Sequence, residues 1–497
     1  MSATLPLRHF TGRDCVVVRF AEGQHASALV CPKRPGGRRF GSVTPSRPSR
    51  GGWVTGARWG RHGQSGAALI IFAILVVLVM GAVMYPGLSS LANRQTGLAA
   101  RTSAALVQAR AALIVYAATC PDVDPPLPNP GPGRLPCPDV DDDGRGDAPC
   151  GNPADPMALG RLPWRDLGLA DLRDGHDERL WYAVSGSLRA EPPAPQVVNS
   201  DTPGQLSFDG TGDMAAVVLA PGPALAAQAG RPSNAPGDYL EGENADGDVD
   251  FGASPSSTTF NDQALGIPQT EVVRVAEQRV LHEVAQRVAS YRDANGQYPF
   301  MSLLGTATGG SAGPKLEDSN LSPDFGVRGV AVDDVVWTPA AAQAQVEFVT
   351  GAEVRVRASS GVTFHPGDAY EIRTRKGFVT GRVIEDLASA ADSTLPGWFA
   401  GNGWDALTYG AVSAPETAVG GTCDPGASCL GVQVGAVLRN DVPALLVMAG
   451  RQLASQPARP SPRLDAYLEG SNNDGDDSFT VPTPGAGSND QIHLLTH

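Results

Sequence analysis

The residues of this 497-residue chain best suited to chemistry are carboxylates that recur at short spacing in one loop. Asp139, Asp141 and Asp143 stand before a glycine, and Asp147 follows it. This D-x-D-x-D-G-x-x-D pattern matches the first half of an EF-hand-type calcium loop, where a glycine lets alternate carboxylates converge. The twelfth position, which would supply a bidentate glutamate, is Cys150. The pattern predicts a calcium site, and a solvated acidic loop is the alternative.

Two pairs of cysteines are spaced for disulfide bonds. Cys137 and Cys150 bracket the acidic loop, and Cys423 and Cys429 bracket the short segment DPGAS. Outside the cytoplasm such pairs form disulfides more often than metal sites, and no C-x-x-C pair or nearby histidine supports zinc. We predict the bonds Cys137–Cys150 and Cys423–Cys429, with Cys120 as an alternative to either member of the first pair.

The sequence offers little support for catalysis. It contains no H-E-x-x-H zinc motif and no G-x-x-x-x-G-K-[ST] phosphate loop. Asp177 and Glu178 are adjacent carboxylates, but neighbouring residues on a strand point to opposite faces, which argues against a glycosidase pair. We therefore predict that the chain is not an enzyme.

The charges are distributed unevenly along the chain. Eleven of the 38 basic residues but only two of the 52 acidic residues lie before residue 67, so the remainder carries a net charge of −23. Such an acidic exterior repels phosphate, and we expect no nucleic-acid partner.

An uncharged segment of 19 residues, Ala67–Tyr85, follows the basic region. At about 1.5 Å of rise per residue, a helix of this length just spans the roughly 30 Å hydrocarbon layer. The basic flank predicts a single-pass membrane protein, with a cytoplasmic N-terminus and the remainder of the chain outside the cytoplasm. A cleaved secretory signal, a plain anchor and a prepilin-type leader are the alternatives, and a secretory apolar core is commonly only about 7–15 residues long.

The short polar segment Arg61–Gly66 abuts the apolar run without a spacer. It resembles the leader of type IV pilins and type II secretion pseudopilins. The resemblance implies cleavage between Gly66 and Ala67 by a prepilin peptidase, methylation of Ala67, and lateral packing of the helix against other pilins or pseudopilins. It also implies a location in the inner membrane, with the head in the periplasm. Ile71 stands where most members carry a glutamate. Some minor pseudopilins at the filament tip also lack that glutamate.

An internal repeat organises the exterior. Ala224–Gln263 aligns without a gap on Gln452–Gln491 at an offset of 228, placing GDYLEGENADGDVDF over DAYLEGSNNDGDDSF. Farther upstream, GRLP at 133–136 resembles GQYP at 296–299, and each follows a predicted helix. The exterior is therefore predicted to contain two copies of one module, each with a helix, a G-x-φ-P loop, strands and an acidic loop.

Each module resembles a pseudopilin head, most clearly over Leu159–Gly186, and the acidic loops resemble the calcium loop of major pseudopilins. A glycine between two aspartates suits a hard cation, although a solvated acidic turn is the alternative. The resemblance implies the ligands Glu241, Asn244, Asp246, Asp248 and Asp262 in the first copy, and Glu469, Asn472, Asp474, Asp476 and Asp490 in the second.

These patterns predict an α+β fold, in which a long N-terminal transmembrane and amphipathic helix precedes two pilin-like lobes with antiparallel sheets and long loops. The predicted segments are a basic leader at 1–66, partly disordered or with a misplaced start; the span at 67–85; an amphipathic helix at 86–119; a first module at 120–265; and a second at 266–497, with a β insertion at about 340–390.

The predicted function is that of a minor or tip subunit of a type II secretion or type IV pilus filament, with calcium-binding loops. The alternative is a single-span periplasmic calcium-dependent adhesin or binding protein that does not enter a filament.

Overall fold

The computed structural model divides the chain into two compact units, Met1–Met80 and Gly81–His497. In the first unit, β1 (Val16–Val18) pairs antiparallel with β2 (Ala28–Val30). Beyond these two strands, the structure describes residues 94–122, 131–152, 154–192, 196–309, 313–338, 342–374, 395–483 and 487–495. The predicted span at 67–85 and the cleavage site at Gly66 and Ala67 lie outside the described residues.

Helix α1 (Arg94–Asp122) covers much of the amphipathic segment and ends in a 3-10 turn. Of the described helices, it is the one long and apolar enough to cross a membrane. Its stripe of Leu106, Ala109, Leu113 and Ala117 is buried at helical spacing and packs into the core of the first module.

The first module is built on one mixed sheet whose strands follow the order β3-β4-β6-β5-β7, with β8 also paired to β6. Only the pair β5 and β7 is parallel. The five residues of β4 are all buried, because alternate side chains enter a core beneath α1 and an aromatic core on the other face. The strands are β3 (Met157–Arg161), β4 (Trp181–Ser185), β5 (Leu206–Phe208), β6 (Thr211–Ala220), β7 (Asp250–Phe251) and β8 (Gln263–Pro268).

A six-stranded antiparallel sheet with its own core forms the insertion of the second module. It is wider than the pattern at 340–390 indicates, because three strands precede that range. The part of the predicted insertion beyond residue 374 lies outside the described residues. In the order β10-β13-β12-β11-β14-β9, the strands are β9 (Met301–Thr306), β10 (Lys315–Glu317), β11 (Val335–Trp337), β12 (Gln343–Thr350), β13 (Glu353–Val356) and β14 (Ala369–Thr374).

The rest of the second module packs helix α2 (Gln269–Asn295) and the short α3 (Gly397–Gly401) on two three-stranded sheets, β15-β18-β20 and β17-β16-β19. These strands are β15 (Thr408–Val412), β16 (Leu430–Val434), β17 (Val437–Val442), β18 (Ala444–Met448), β19 (Ser478–Val481) and β20 (Gln491–Leu495).

The segments aligned by the repeat form corresponding elements. At the offset of 228, β4 corresponds to β15, β7 to β19 and β8 to β20, and the long β6 corresponds to β17 and β18 together. Pro443 interrupts the strand in the second module because proline has no N–H to donate to the ladder, whereas the equivalent Ala215 lies inside β6.

The G-x-φ-P loops also correspond. Leu135 donates its backbone N–H to the carbonyl of Leu188, and Tyr298 donates to the carbonyl of Glu416. Leu188 and Glu416 are themselves equivalent at the offset of 228. The fold is thus α+β, with mainly antiparallel sheets and two related modules.

Candidate functional site

The acidic loop of the first module brings three carboxylates together. Asp139, Asp141 and Asp147 each offer one carboxylate oxygen, and these atoms lie within 4.8 Å of one another. Throughout the described ranges, no other group of three or more His, Cys, Asp or Glu side chains converges in this way. The group has the hard oxygen donors that calcium prefers.

Backbone donors hold this loop in shape. Asp139 is fully buried, and its carboxylate accepts the N–H groups of Asp142 (2.6 Å), Asp143 (3.2 Å) and Gly144 (2.7 Å). Gly144 has φ +90°, and a Cβ there would lie 2.5 Å from the indole of Trp164, so the turn requires glycine. The backbone donors and the glycine turn therefore hold the carboxylates of this loop close together.

Charge and burial both act on the loop. Burial raises the pKa of Asp139 above its usual range, and the backbone donors offset this only in part. Arg161 and Arg179 pair with Asp142, at 3.0 Å and 2.6 Å. Asp143, a predicted ligand, lies outside the convergent group, and its Oδ1 accepts the N–H of Arg145 at 2.7 Å.

The two predicted disulfides are confirmed. Cys137 and Cys150 are bonded with a Cα–Cα distance of 5.3 Å, and Cys423 and Cys429 with one of 4.9 Å. Cys120 is a buried free thiol and so replaces neither member of the first pair. The first bond closes the acidic loop at its base.

In the first C-terminal acidic loop, three predicted ligands interlock. Glu241, Asn244 and Asp262 are all buried. Asp262 Oδ2 accepts the Glu241 backbone N–H and the Asn244 side-chain amide, each at 3.0 Å. Glu241 Oε2 accepts the backbone N–H groups of Asn261 (2.9 Å) and Asp262 (3.2 Å). The acidic pair thus ties the two ends of the loop together.

The second copy repeats this arrangement. Asp490 Oδ2 accepts the Glu469 N–H and the Asn472 amide, each at 3.0 Å, and Glu469 Oε2 accepts the N–H groups of Asn489 (3.1 Å) and Asp490 (3.2 Å). Burial raises the pKa of both aspartates, to about 7 for Asp262, with the neighbouring glutamate adding to the effect. Oδ1 of each aspartate is buried with no hydrogen-bond partner in the described part of the chain.

The remaining predicted ligands of these two loops lie on the surface. Asp246 and Asp248 are exposed and accept the backbone N–H groups two residues on, at 3.1 Å and 2.8 Å. Asp474 and Asp476 do the same in the second copy. Each loop thus separates an interlocked interior from an exposed pair of aspartates.

Sequence reasoning missed one member of each interlocked cluster. Gln228 donates its side-chain amide to Glu241 Oε1, and the equivalent Gln456 donates to Glu469 Oε1 at 2.9 Å. Both glutamines lie inside the gapless alignment, so identity between the two copies was the signal that pointed to them.

A cavity of about 250 Å³ lies where the insertion meets α2. Tyr291, Phe300 and Trp337 contribute aromatic surface, and Asp333 and Arg373 contribute charge. The Arg373 guanidinium lies 4.6 Å from the centre of the Trp337 ring. The first module has no counterpart of this insertion, so the cavity belongs to the second module alone.

Comparison with family models, curated proteins and solved structures finds no match to this chain.

Proposed function

We propose that the chain is a minor or tip subunit of a type II secretion or type IV pilus filament. In this proposal, 67–85 anchors the protein in the inner membrane and the two modules stand in the periplasm. The prepilin-like leader, processed after Gly66, allows the apolar helix to pack against other subunits. Small residues in that segment suit close helix packing in lipid.

The observation that carries the proposal is the packing of α1. The helix follows the apolar segment in the chain, and its buried stripe, which includes Leu106 and Leu113, forms part of the first module's core. A subunit that assembles through an apolar N-terminal helix needs this arrangement, because the head must be attached firmly to the helix that the filament holds.

N-terminal sequencing after co-expression with a prepilin peptidase tests the proposal. We expect the mature chain to begin at Ala67, and a Gly66→Val variant to remain uncut. Gly63→Ala is the matched control, since it changes a leader glycine away from the cut and should leave processing intact. A chain that keeps Arg61 in a host with active peptidase would contradict the filament proposal.

The same proposal includes calcium. Asp139, Asp141 and Asp147 are the residues that would hold it, and a bound ion would neutralise their mutual repulsion. For calcium to bind in the two C-terminal acidic loops, the exposed aspartates would have to bind the same ion as the buried cluster of their loop. These aspartates are Asp246 and Asp248 in the first copy and Asp474 and Asp476 in the second. Titration calorimetry of the wild type and of Asp141→Asn separates the two cases: loss of all binding in the variant identifies the first loop alone, whereas two remaining sites identify the C-terminal loops as well.

The cavity beside Trp337 favours a second candidate function, that of an anchored periplasmic adhesin or binding protein. Such a protein would keep its basic leader in the presence of the peptidase. The sequencing experiment therefore distinguishes the two functions directly.

A further inference from the structure

One loop of the first module is hydrogen-bonded to the second module through several of its residues. This segment, residues 196–202, is called the clasp loop below. Asn402 Oδ1 accepts the Val198 N–H at 3.1 Å, and Asp201 pairs with Arg459 at 3.0 Å. Val198 and Asn402 are completely buried, so the hydrogen bond between them excludes water, whereas Asp201 is partly exposed. The clasp loop is therefore one of the contacts that hold the two modules together.

One buried carboxyl group lies between the clasp loop and the second module. Glu277, on helix α2, is only 5% exposed. Its Oε1 accepts the Ser200 hydroxyl at 2.7 Å, and its Oε2 accepts the side-chain amide of Gln491 on β20. Ser200 belongs to the clasp loop, so one side chain joins the loop, the helix and the C-terminal strand.

The surroundings of Glu277 do not neutralise it. No Lys or Arg in the described part of the chain forms an ion pair with its carboxylate. Burial raises its pKa to about 7, and the hydrogen bonds from Ser200 and Gln491 and the charge of Arg274 on the same helix oppose the rise only partly. Asp201, in the clasp loop, raises the pKa further.

Other charged groups also lie near this interface. On β6, Asp213 pairs with Arg451, and on β20, His493 lies beside His282. Strand β18 presents only apolar residues. The proton on Glu277 is thus governed mainly by burial of this one group.

We propose that protonation of Glu277 controls the contact between the two modules. The clasp loop is held tightly when the carboxyl group of Glu277 is protonated and loosely when this group is ionised. The physical reason is that a buried carboxylate without a cation is costly, and opening the loop lets water solvate it. This inference goes beyond the proposed function, since it requires neither a membrane nor a filament.

Proton linkage determines the direction in which closure of the clasp loop depends on pH. The closed state binds the proton more tightly than the open state, in which the pKa returns towards 4.5. Closure is therefore most favoured below about pH 4.5, weakens as pH rises to about 7, and changes little above that.

Amide hydrogen exchange of the clasp loop, measured on the full chain in detergent from pH 5 to 8 and corrected for intrinsic rates, tests the proposal. We expect protection to fall by up to about tenfold per pH unit between about pH 5 and 7. Glu277→Gln should make the profile flat. Glu283→Gln is the control, because Glu283 is buried on the same helix but pairs with Arg287, and it should keep the wild-type profile.

Two further variants should shift the profile in opposite directions. Ser200→Ala removes a hydrogen bond that favours the carboxylate, so the midpoint should move to higher pH. Asp201→Asn removes a neighbouring negative charge, so the midpoint should move to lower pH. If Glu277 had a merely structural role, the midpoints of both variants would move in the same direction. That result would overturn the proposal, and so would a wild-type profile that does not change with pH. The pair remains decisive even where Glu277→Gln fails to fold.

Discussion

Arg231 and Arg459 occupy equivalent positions in the two modules, yet their guanidinium groups pair with different carboxylates. Each lies over an equivalent tyrosine, Arg231 at 4.5 Å from the ring centre of Tyr239 and Arg459 at 4.8 Å from that of Tyr467. The duplicated arginine therefore keeps its local packing in both copies.

The partners differ because one acidic residue has no counterpart. Arg231 pairs with Glu178 of its own module at 3.2 Å, and the residue equivalent to Glu178 is Ala406. Arg459 instead reaches Asp201 of the other module at 3.0 Å. The equivalent arginine thus forms an ion pair within the first module and an ion pair between the modules in the second.

We expect a double-mutant cycle of Arg459→Ala and Asp201→Ala to give a coupling free energy of about 1 kcal/mol, because the arginine is buried while the aspartate is partly exposed. Chemical denaturation measures it. The exposed pair Arg439 and Asp441 is the control and should show clearly weaker coupling, because solvent screens it. Equal coupling in both pairs would contradict the assigned role of Arg459.

Glu277→Gln should stabilise the protein at pH 8 and have little effect near pH 4.5. Burial raises the pKa of Glu277 to about 7, so the unfolding free energy of the wild-type protein falls by up to about 3 kcal/mol as pH rises and this carboxyl group ionises. The neutral glutamine avoids that loss. Denaturant unfolding at the two pH values checks this. A variant less stable than wild type at pH 8 would show that the hydrogen bonds of the carboxylate outweigh its desolvation.

The first acidic loop allows a matched test of calcium binding. We expect calcium to raise the melting temperature relative to chelator, and Asp141→Asn to remove most of that rise, because Asp141 belongs to the convergent group. Asp143→Asn removes an equal charge two residues away, outside the group, and should retain the rise. Equal loss in both variants would indicate a general charge effect.

Removing the Cys137–Cys150 bond, by serine substitution of both residues, should cost about 3 kcal/mol of unfolding free energy, since it closes a sequence separation of 13. The Cys423–Cys429 bond closes a separation of 6 and should contribute about 2 kcal/mol. Calcium-dependent stabilisation should weaken only in the first variant. If both variants lost the calcium-dependent stabilisation, the first acidic loop would not be the specific site of calcium binding.

Much of the local architecture was accessible from the sequence. Spacing and the expected location outside the cytoplasm predicted both disulfides, since cysteines 6 and 13 residues apart can meet through a short loop, although the sequence left Cys120 as an alternative in the first pair. The gapless repeat likewise indicated corresponding strands, because equal spacing of apolar and turn residues produces equal hydrogen-bond ladders. The insertion was recognised only in part, as strands such as β10 are too short to show an alternating pattern.

Tertiary structure alone decided which polar groups meet. Asp143 matched the calcium pattern as well as Asp141 did, but backbone turns point the two carboxylates differently. Glu277 had no sequence signal, because its partners Ser200 and Gln491 lie 77 and 214 residues away. Residue types and spacing determine contacts within a turn or a hairpin, whereas contacts between distant segments depend on how the modules pack, and that packing places the buried charges.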